Sequence, residues 1–384
     1  MTVRAFDATY RSVPLTHKLV DVQWTLVVLI VLIACFGFAA LFSAAGGSMS
    51  PWAAPQMARF GIGLILLLTI ACVDLRVWMN IAYPAYAVAL LLLVAVELMG
   101  RIGMGAQRWL ELGPLALQPS EPMKITLILA LARYLHGIGP DDISRPLRLF
   151  VPLLMIIAPA VLVLMQPNLG TATLLVVGGA MLLFLAGLSW KWITSAAIAL
   201  AIAVPSAWQF LLHDYQKQRV LTFLNPDTDA LGAGWNITQA KIALGSGGLL
   251  GKGFLAGTQS RLNFLPEKQT DFIIAIIGEE FGFLGLMLLL GMFAAVIWNG
   301  VNISFQARSH FGRLVAMGVT LNLFLYIMIN GLMVMGLIPV VGIPMPLVSY
   351  GGTAMMTVMI GFGLLMCVHV HRQVTVPSHS SGML

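Results

Sequence analysis

Apolar runs about as long as a bilayer is thick recur along this chain, and few folds are open to a chain built that way. Ten candidate spans are read: Trp24–Phe42, Met57–Val73, Ile81–Leu98, Met123–Tyr134, Leu149–Met165, Leu169–Leu188, Trp192–Trp208, Phe272–Trp298, Leu314–Met335 and Thr353–Val370. A helix needs about 20 mostly apolar residues to cross the hydrocarbon. No water is available there, so each backbone amide and carbonyl must be satisfied inside the segment, which selects helices. Of 384 residues, 59% are hydrophobic and 9% charged. The chain therefore reads as an all-α polytopic integral membrane protein, a single membrane domain over 1–384 with about ten transmembrane helices. A long loop, 209–270, separates the seventh span from the eighth. The fourth span is short and is expected to extend into its flanks. Cys35, Cys72 and Cys367 all fall within spans, so no disulfide framework is implied. No cleavage-site pattern precedes the first apolar run, so no signal peptide is expected.

Orientation follows from the loop lysines and arginines, which are retained on the cytoplasmic side. With the N-terminus inside, eleven fall in cytoplasmic segments: Arg4, Arg11, Lys18, Arg76, Arg133, Arg145, Arg148, Lys191, Arg308, Arg313 and Arg372. Short outer loops hold four, namely Arg59, Arg101, Arg108 and Lys124. The other six lie in the 209–270 loop, and loops that long translocate largely regardless of charge. Both tails, 1–23 and 371–384, are therefore expected in the cytoplasm and 209–270 outside it. The net charge of +6 expresses this bias and gives no reason to expect nucleic acid as a partner.

In this topology four polar segments share the outer side. The first runs from Gly105-Ala106-Gln107-Arg108-Trp109-Leu110 to Gln118-Pro119-Ser120-Glu121-Pro122-Met123-Lys124. Ser120 reads as an N-cap with Glu121 in the first turn, where the helix dipole favours an acid. Glu121 and Lys124, three apart, then share a face, either as an interfacial ion pair or as part of a site. Trp109 suits the aromatic belt at the membrane surface. The second segment, Gln166-Pro167-Asn168-Leu169-Gly170-Thr171, is a tight turn between spans five and six.

The third is the long loop, where Ile237, Ala240, Ile242 and Leu244 among Thr238, Gln239 and Lys241 suggest a short amphipathic helix in the interface, ended by glycines. Loops of this length without a role are uncommon, and a platform over the membrane is expected. The fourth, Gly342-Ile343-Pro344-Met345-Pro346 to Gly351-Gly352-Thr353, puts prolines and paired glycines at membrane depth. Such backbone is tolerated only where protein buries it or it lines a watered cavity, so a re-entrant segment is expected.

Asp271 stands at the seam between the long loop and the eighth span, a carboxylate at the water's edge. Helical geometry places Glu279 and Glu280 about 12 and 13.5 Å deeper, at about 80° and 180° around the axis. An acid at that depth is either functional or paired with an arginine or with backbone.

The motifs Ala106-Gln107-Arg108-Trp109 with Gln118-Pro119-Ser120-Glu121, Gln166 to Thr171, Phe264 to Phe272 followed by Gly278-Glu279-Glu280-Phe281-Gly282, and Pro346 to Gly352 together resemble the shape, elongation, division and sporulation (SEDS) family. The resemblance runs in order from Trp24 to Val370, and Tyr215 to Phe223 and Gly336 to Pro344 look more like its elongation branch than its division branch. It implies a bacterial peptidoglycan glycosyltransferase in the cytoplasmic (inner) membrane, taking lipid II, a disaccharide-pentapeptide on undecaprenyl pyrophosphate, into growing glycan strands. It further implies a class B penicillin-binding protein transpeptidase and other elongation-complex proteins as partners. The family's acid in Thr-Asp-Phe falls on Asp271, its Gln-Pro-Ser-Glu acid on Glu121, the nearby base on Lys124, and its tryptophan and arginine on Trp109 and Arg108. Two positions depart from it: Asn168 stands where the family usually has Asp, and Asn263 where many members carry an acid.

The residues fit that chemistry on their own terms. Polymerising a glycan needs a base to take a proton from the acceptor hydroxyl, and a positioned carboxylate is typically worth about 10²–10⁴ in rate. Asp271 can be that base. The departing pyrophosphate needs cations, for which Arg108, Lys124, Arg219, Lys241 and Lys268 are outer-side candidates. A divalent cation such as Mg held by Glu121 could share the task, but a lone acid is a poor metal signature. No metal ligand set is assigned. The rival reading is a flippase for the same lipid, which would place its site near the midplane between internal repeats; no repeat is evident here.

Overall fold

The computed structural model describes residues 15–103, 106–112, 115–139, 142–210, 217, 221, 233–262, 264–265 and 267–375. All ten apolar runs are helical. The helix α1 (Leu15–Val20) leads into α2 (Trp24–Ala44), α3 (Ala53–Cys72) and α4 (Leu75–Met99). After a small sheet come α5 (Ser120–His136), α6 (Pro146–Met165), α7 (Leu169–Leu185) and α8 (Trp190–Phe210). The long loop carries α9 (Ala233–Ser246) and α10 (Thr258–Arg261), and α11 (Ile273–Gln306), α12 (His310–Val334) and α13 (Gly352–Val370) complete the bundle. Among the described residues α2, α3, α4, α6, α11, α12 and α13 are long and apolar enough to cross a membrane, and α7 is a shorter apolar helix. The chain is a multi-pass membrane protein.

α5 explains why its run looked short. It is buried along nearly its whole length, from Ser120 to Leu135, against α4, α6, α7, α12 and α13. A helix wrapped by other helices needs no lipid-facing apolar stripe, so Glu121 and Lys124 can lie on it. Around this centre α3 packs on α13, α11 on α12 and α2, and α6 on α7.

Three features depart from expectation. The segment before α5 is a three-stranded antiparallel sheet, β1 (Arg101–Gly103), β2 (Ala106–Leu112) and β3 (Leu115–Leu117), in the order β1-β2-β3. Its register pairs Ile102 with Gln107 and Leu110 with Leu117. The proposed interfacial helix is α9, yet its face of Ile237, Ala240 and Ala243 is buried in protein against α11 and α12. The eighth span is interrupted at Gly282, where φ is +66°. Between α12 and α13 the chain has no helix, and Ile343, Met345, Leu347, Val348 and Ser349 are all buried. That is the expected re-entrant segment.

Candidate functional site

Asp271 sits in a turn that ends where α11 begins. The Glu267 carbonyl accepts from Thr270 N at 3.1 Å and Asp271 N at 3.2 Å. Phe272 is the N-cap and no side chain caps the helix, so the Asp271 carboxylate is not spent on capping. The turn is tied to the re-entrant segment from two sides. Asn330 of α12 donates from Nδ2 to the Asp271 carbonyl at 3.0 Å and to the Ile343 carbonyl at 2.6 Å. Ser349 Oγ donates to the Thr270 carbonyl at 2.5 Å, and Tyr350 N to the Gln269 carbonyl at 2.8 Å.

In front of this turn lies a cavity of about 500 Å³, lined by Asp271, Glu267, Glu121, Lys124, Arg108, Trp109, Gln118, Asn168, Tyr326 and Tyr350 among others. Five of the eight residues singled out from sequence thus meet in one chamber, although they come from β2, α5 and the turn before α11. A Cβ on Gly342 would lie 3.6 Å from Asp271 Oδ2, so the re-entrant backbone closes on the carboxylate. Burial, helped by the negative charge of Glu267 and opposed by Arg108, pushes the Asp271 carboxyl up to about 6. A base is most useful with a pKa near the working pH.

Glu121 and Lys124 form the pair that their spacing predicts: Lys124 Nζ donates to Glu121 Oε1 at 2.6 Å, with 2% and 5% of the lysine and glutamate side chains exposed. Tyr326 of α12 completes the group. Lys124 Nζ also bonds the Tyr326 hydroxyl, and that hydroxyl donates to Glu121 Oε2 at 3.1 Å. The expected Ser120 cap does not form. Pro119 already has helical dihedrals, φ −63° and ψ −23°, so Ser120 lies inside the first turn and its Oγ has no partner among the described residues.

Arg108 reaches from β2 to the turn between α6 and α7, where Nε donates to the Gln166 carbonyl at 3.0 Å and Nη2 to the Pro167 carbonyl. Asn168 caps α7, accepting from Thr171 N at 3.3 Å. Capping needs only an acceptor oxygen, which an amide supplies as well as a carboxylate.

Other expectations end outside the chamber. Lys241 lies on α9 with its ammonium end against Gly336. Lys268 is buried with its Nζ 6.0 Å from the centre of the Trp52 ring. Arg219 and Asn263 lie outside the described residues. Glu279 and Glu280 do not line the cavity; Glu279 bonds Lys252 at 2.6 Å and Glu280 bonds Ser43. Glu121 suits a divalent cation poorly, because an ammonium already occupies its Oε1. Among the described residues no three His, Cys, Asp or Glu side chains are grouped to hold a metal. Tyr326 and Glu267 are the site residues that sequence reading missed. Glu267 had a signal, being an acid four residues before Asp271.

Comparison with known proteins gives a consistent neighbourhood. The cell cycle protein family FtsW/RodA/SpoVE matches residues 18–374. The peptidoglycan glycosyltransferase MrdB of Escherichia coli K12 is 44% identical over 348 residues, covering 90% of this chain and 93% of that protein. The stage V sporulation protein E of Bacillus subtilis is 36% identical over 324 residues, covering 82% and 85%. A chain from a structure of a peptidoglycan synthase complex that coordinates polymerization and crosslinking superposes with a TM-score of 0.81 at 32% identity, covering 91% of this chain and 98% of that one. The rod shape determining protein RodA of Thermus thermophilus superposes with a TM-score of 0.69 at 29% identity, covering 91% and 97%.

Proposed function

The chain belongs to the FtsW/RodA/SpoVE family of cell cycle proteins, and from that premise we propose that its outer cavity is where lipid II is polymerised, with Asp271 as the base. The protein is a peptidoglycan glycosyltransferase of the elongation type. The observation that carries the site assignment is the meeting of Asp271, whose carboxylate serves no cap, with Arg108 and the Glu121–Lys124 pair around one chamber.

In the transfer, an acceptor sugar hydroxyl attacks the anomeric carbon of the donor. The carbon–oxygen bond to the pyrophosphate breaks, the lipid pyrophosphate leaves with the electron pair, and Asp271 Oδ takes the hydroxyl proton. Arg108 lines the chamber and its charge acts on Asp271, so it is the cation assigned to the leaving charge, while Lys124 is bonded to Glu121. The Arg108 guanidinium donates to the Gln166 and Pro167 carbonyl oxygens, which hold it at the chamber wall. Trp109 offers an apolar ring face to a sugar. A substrate whose tail stays in the bilayer is served by a site at the membrane's edge. In keeping with the loop charges, both termini lie in the cytoplasm of a bacterial inner membrane and the cavity opens outward. The likeness to a synthase complex supports a penicillin-binding protein of class B as partner.

The broken α11 is a feature that a flippase would share. Its break is filled by the protein's own loop, which favours the enzyme. The deciding experiment supplies purified protein, with and without a transpeptidase partner, with lipid II. Glycan polymer is the expected product; lipid II scrambling across vesicles with no polymer would support the flippase.

A further inference from the structure

α11 does not run unbroken from Asp271 to the opposite face. The break at Gly282 lies nine residues beyond Ile273, about 13.5 Å along the axis. A continuous helix would bond Phe283 N to the Glu279 carbonyl and Leu284 N to the Glu280 carbonyl. At that depth lipid cannot replace those bonds. One stretch of the outer loop replaces both. Phe283 N donates to the Gly248 carbonyl at 2.9 Å and Leu284 N to the Leu249 carbonyl at 3.1 Å. The Glu279 carbonyl accepts from Lys252 N at 2.9 Å and the Glu280 carbonyl from Gly253 N at 3.1 Å. The fit depends on missing side chains: a Cβ on Gly251 (φ +81°) would overlap the Glu280 carbonyl oxygen, and one on Gly282 the Gly251 nitrogen. Leu249 and Leu250, 71% and 77% exposed, present apolar side chains on the same surface as the exposed Phe283 and Leu284.

Side chains reinforce the same joint. Glu279, fully buried, accepts from Lys252 Nζ at 2.6 Å, Thr258 Oγ1 at 2.8 Å, Thr258 N at 2.9 Å and Gln259 N at 3.2 Å. Glu280 is bonded by Ser43 of α2. Both acids therefore face the loop and α2, away from the chamber.

The outer piece of α11, Ile273–Phe281, is thus a short helix held at its outer end by Asn330 and Ser349 through the Asp271 turn and at its inner end by the loop. We propose that residues 247–259 form a latch seated in the break of α11, and that Lys252 and Glu279 are positioning residues that fix Ile273–Phe281 and hence the Asp271 carboxylate for glycosyl transfer. The inference rests on the assignment of Asp271 as base. Transfer chemistry is sensitive to placement, and a 1 Å error can cost about 10²-fold in rate.

The test uses full-length protein in nanodiscs, comparing wild type, Lys252→Met and Lys252→Arg. In Lys252→Met, amide hydrogen exchange should speed at least tenfold in 247–259 and in 273–281 together, leaving 310–334 unchanged. The kcat for lipid II polymerisation should fall about tenfold with KM unaltered, and Lys252→Arg should restore both. Should Lys252→Met fail to insert, Lys252→Ala, which likewise removes the donor to Glu279, is read in the same way. Faster exchange with normal kcat would show a latch that positions nothing; a lower kcat with unchanged exchange would show that Lys252 acts otherwise. Either overturns the proposal. If Asp271 is not the base, Asp271→Asn stays active whatever the exchange shows, so the two failures are told apart.

Discussion

Removing one member of the Glu121–Lys124 pair should cost far more than losing a surface ion pair. Exposed pairs are worth about 0–1 kcal/mol, but only 2% and 5% of these two side chains reach solvent. Breaking a buried pair from one side typically costs about 3–5 kcal/mol, because it strands a charge. A ceiling follows from the lysine's alternative of giving up its proton. With an ordinary lysine pKa of about 10.4, that costs about 4 kcal/mol at pH 7.4. The Tyr326 hydroxyl remains as a partner, so Glu121→Ala should lose about 3–4 kcal/mol of stability. The double variant Glu121→Gln/Lys124→Met removes both charges and leaves an amide oxygen for the Tyr326 hydroxyl, so it should recover to within about 1 kcal/mol of wild type. The assay is thermal unfolding in nanodiscs beside lipid II polymerisation. If the pair serves the reaction, the double variant is stable yet at least about 10²-fold slower, the scale of a lost electrostatic contact in an active site. Polymerisation within threefold of wild type by the double variant would reduce the pair to a packing device. A single variant of unchanged stability would refute the reasoning about its burial.

Three further outcomes follow. The Asp271 carboxyl sits at about 6, and the base must be ionised, so kcat/KM should rise with pH up to about 6 and then level; a flat profile between pH 5 and 7 would count against it. Arg108 lowers the Asp271 pKa, so Arg108→Gln should move that acid limb to higher pH as well as slow the reaction, and a limb moving to lower pH would contradict the geometry. In a background without the three native cysteines, Leu262→Cys, at a position 60% exposed, should be labelled from outside intact cells and Arg145→Cys should not; labelling at 145 would reverse the orientation.

Much of this was legible in the sequence, for reasons that also mark where legibility stopped. Spans are visible because hydrocarbon imposes length and apolarity on each segment separately. The Glu121–Lys124 contact is local, fixed by three-residue spacing on one helix. Tyr326 lies 205 residues from Glu121, and no periodicity reports a contact made by helix packing. Charge sign named five outer cations but not where they point: Lys268 lies by Trp52 and Lys241 by Gly336. The break at Gly282 was hidden because glycine is common in membrane helices; only its neighbours show that the chain turns there. Ser120 looked like a cap because Pro119 was not expected to have begun the helix already.

Whether Asp271 takes the acceptor proton is decided by Asp271→Asn in full-length protein supplied with lipid II. The substitution keeps size and polarity but removes the ability to accept the proton, and the wild-type carboxylate caps nothing that would be lost. The expected result is a folded, membrane-inserted, partner-binding protein whose polymerisation falls by at least about 10²-fold. Polymerisation above about a tenth of the wild-type rate, well short of the loss expected for a missing base, would contradict it.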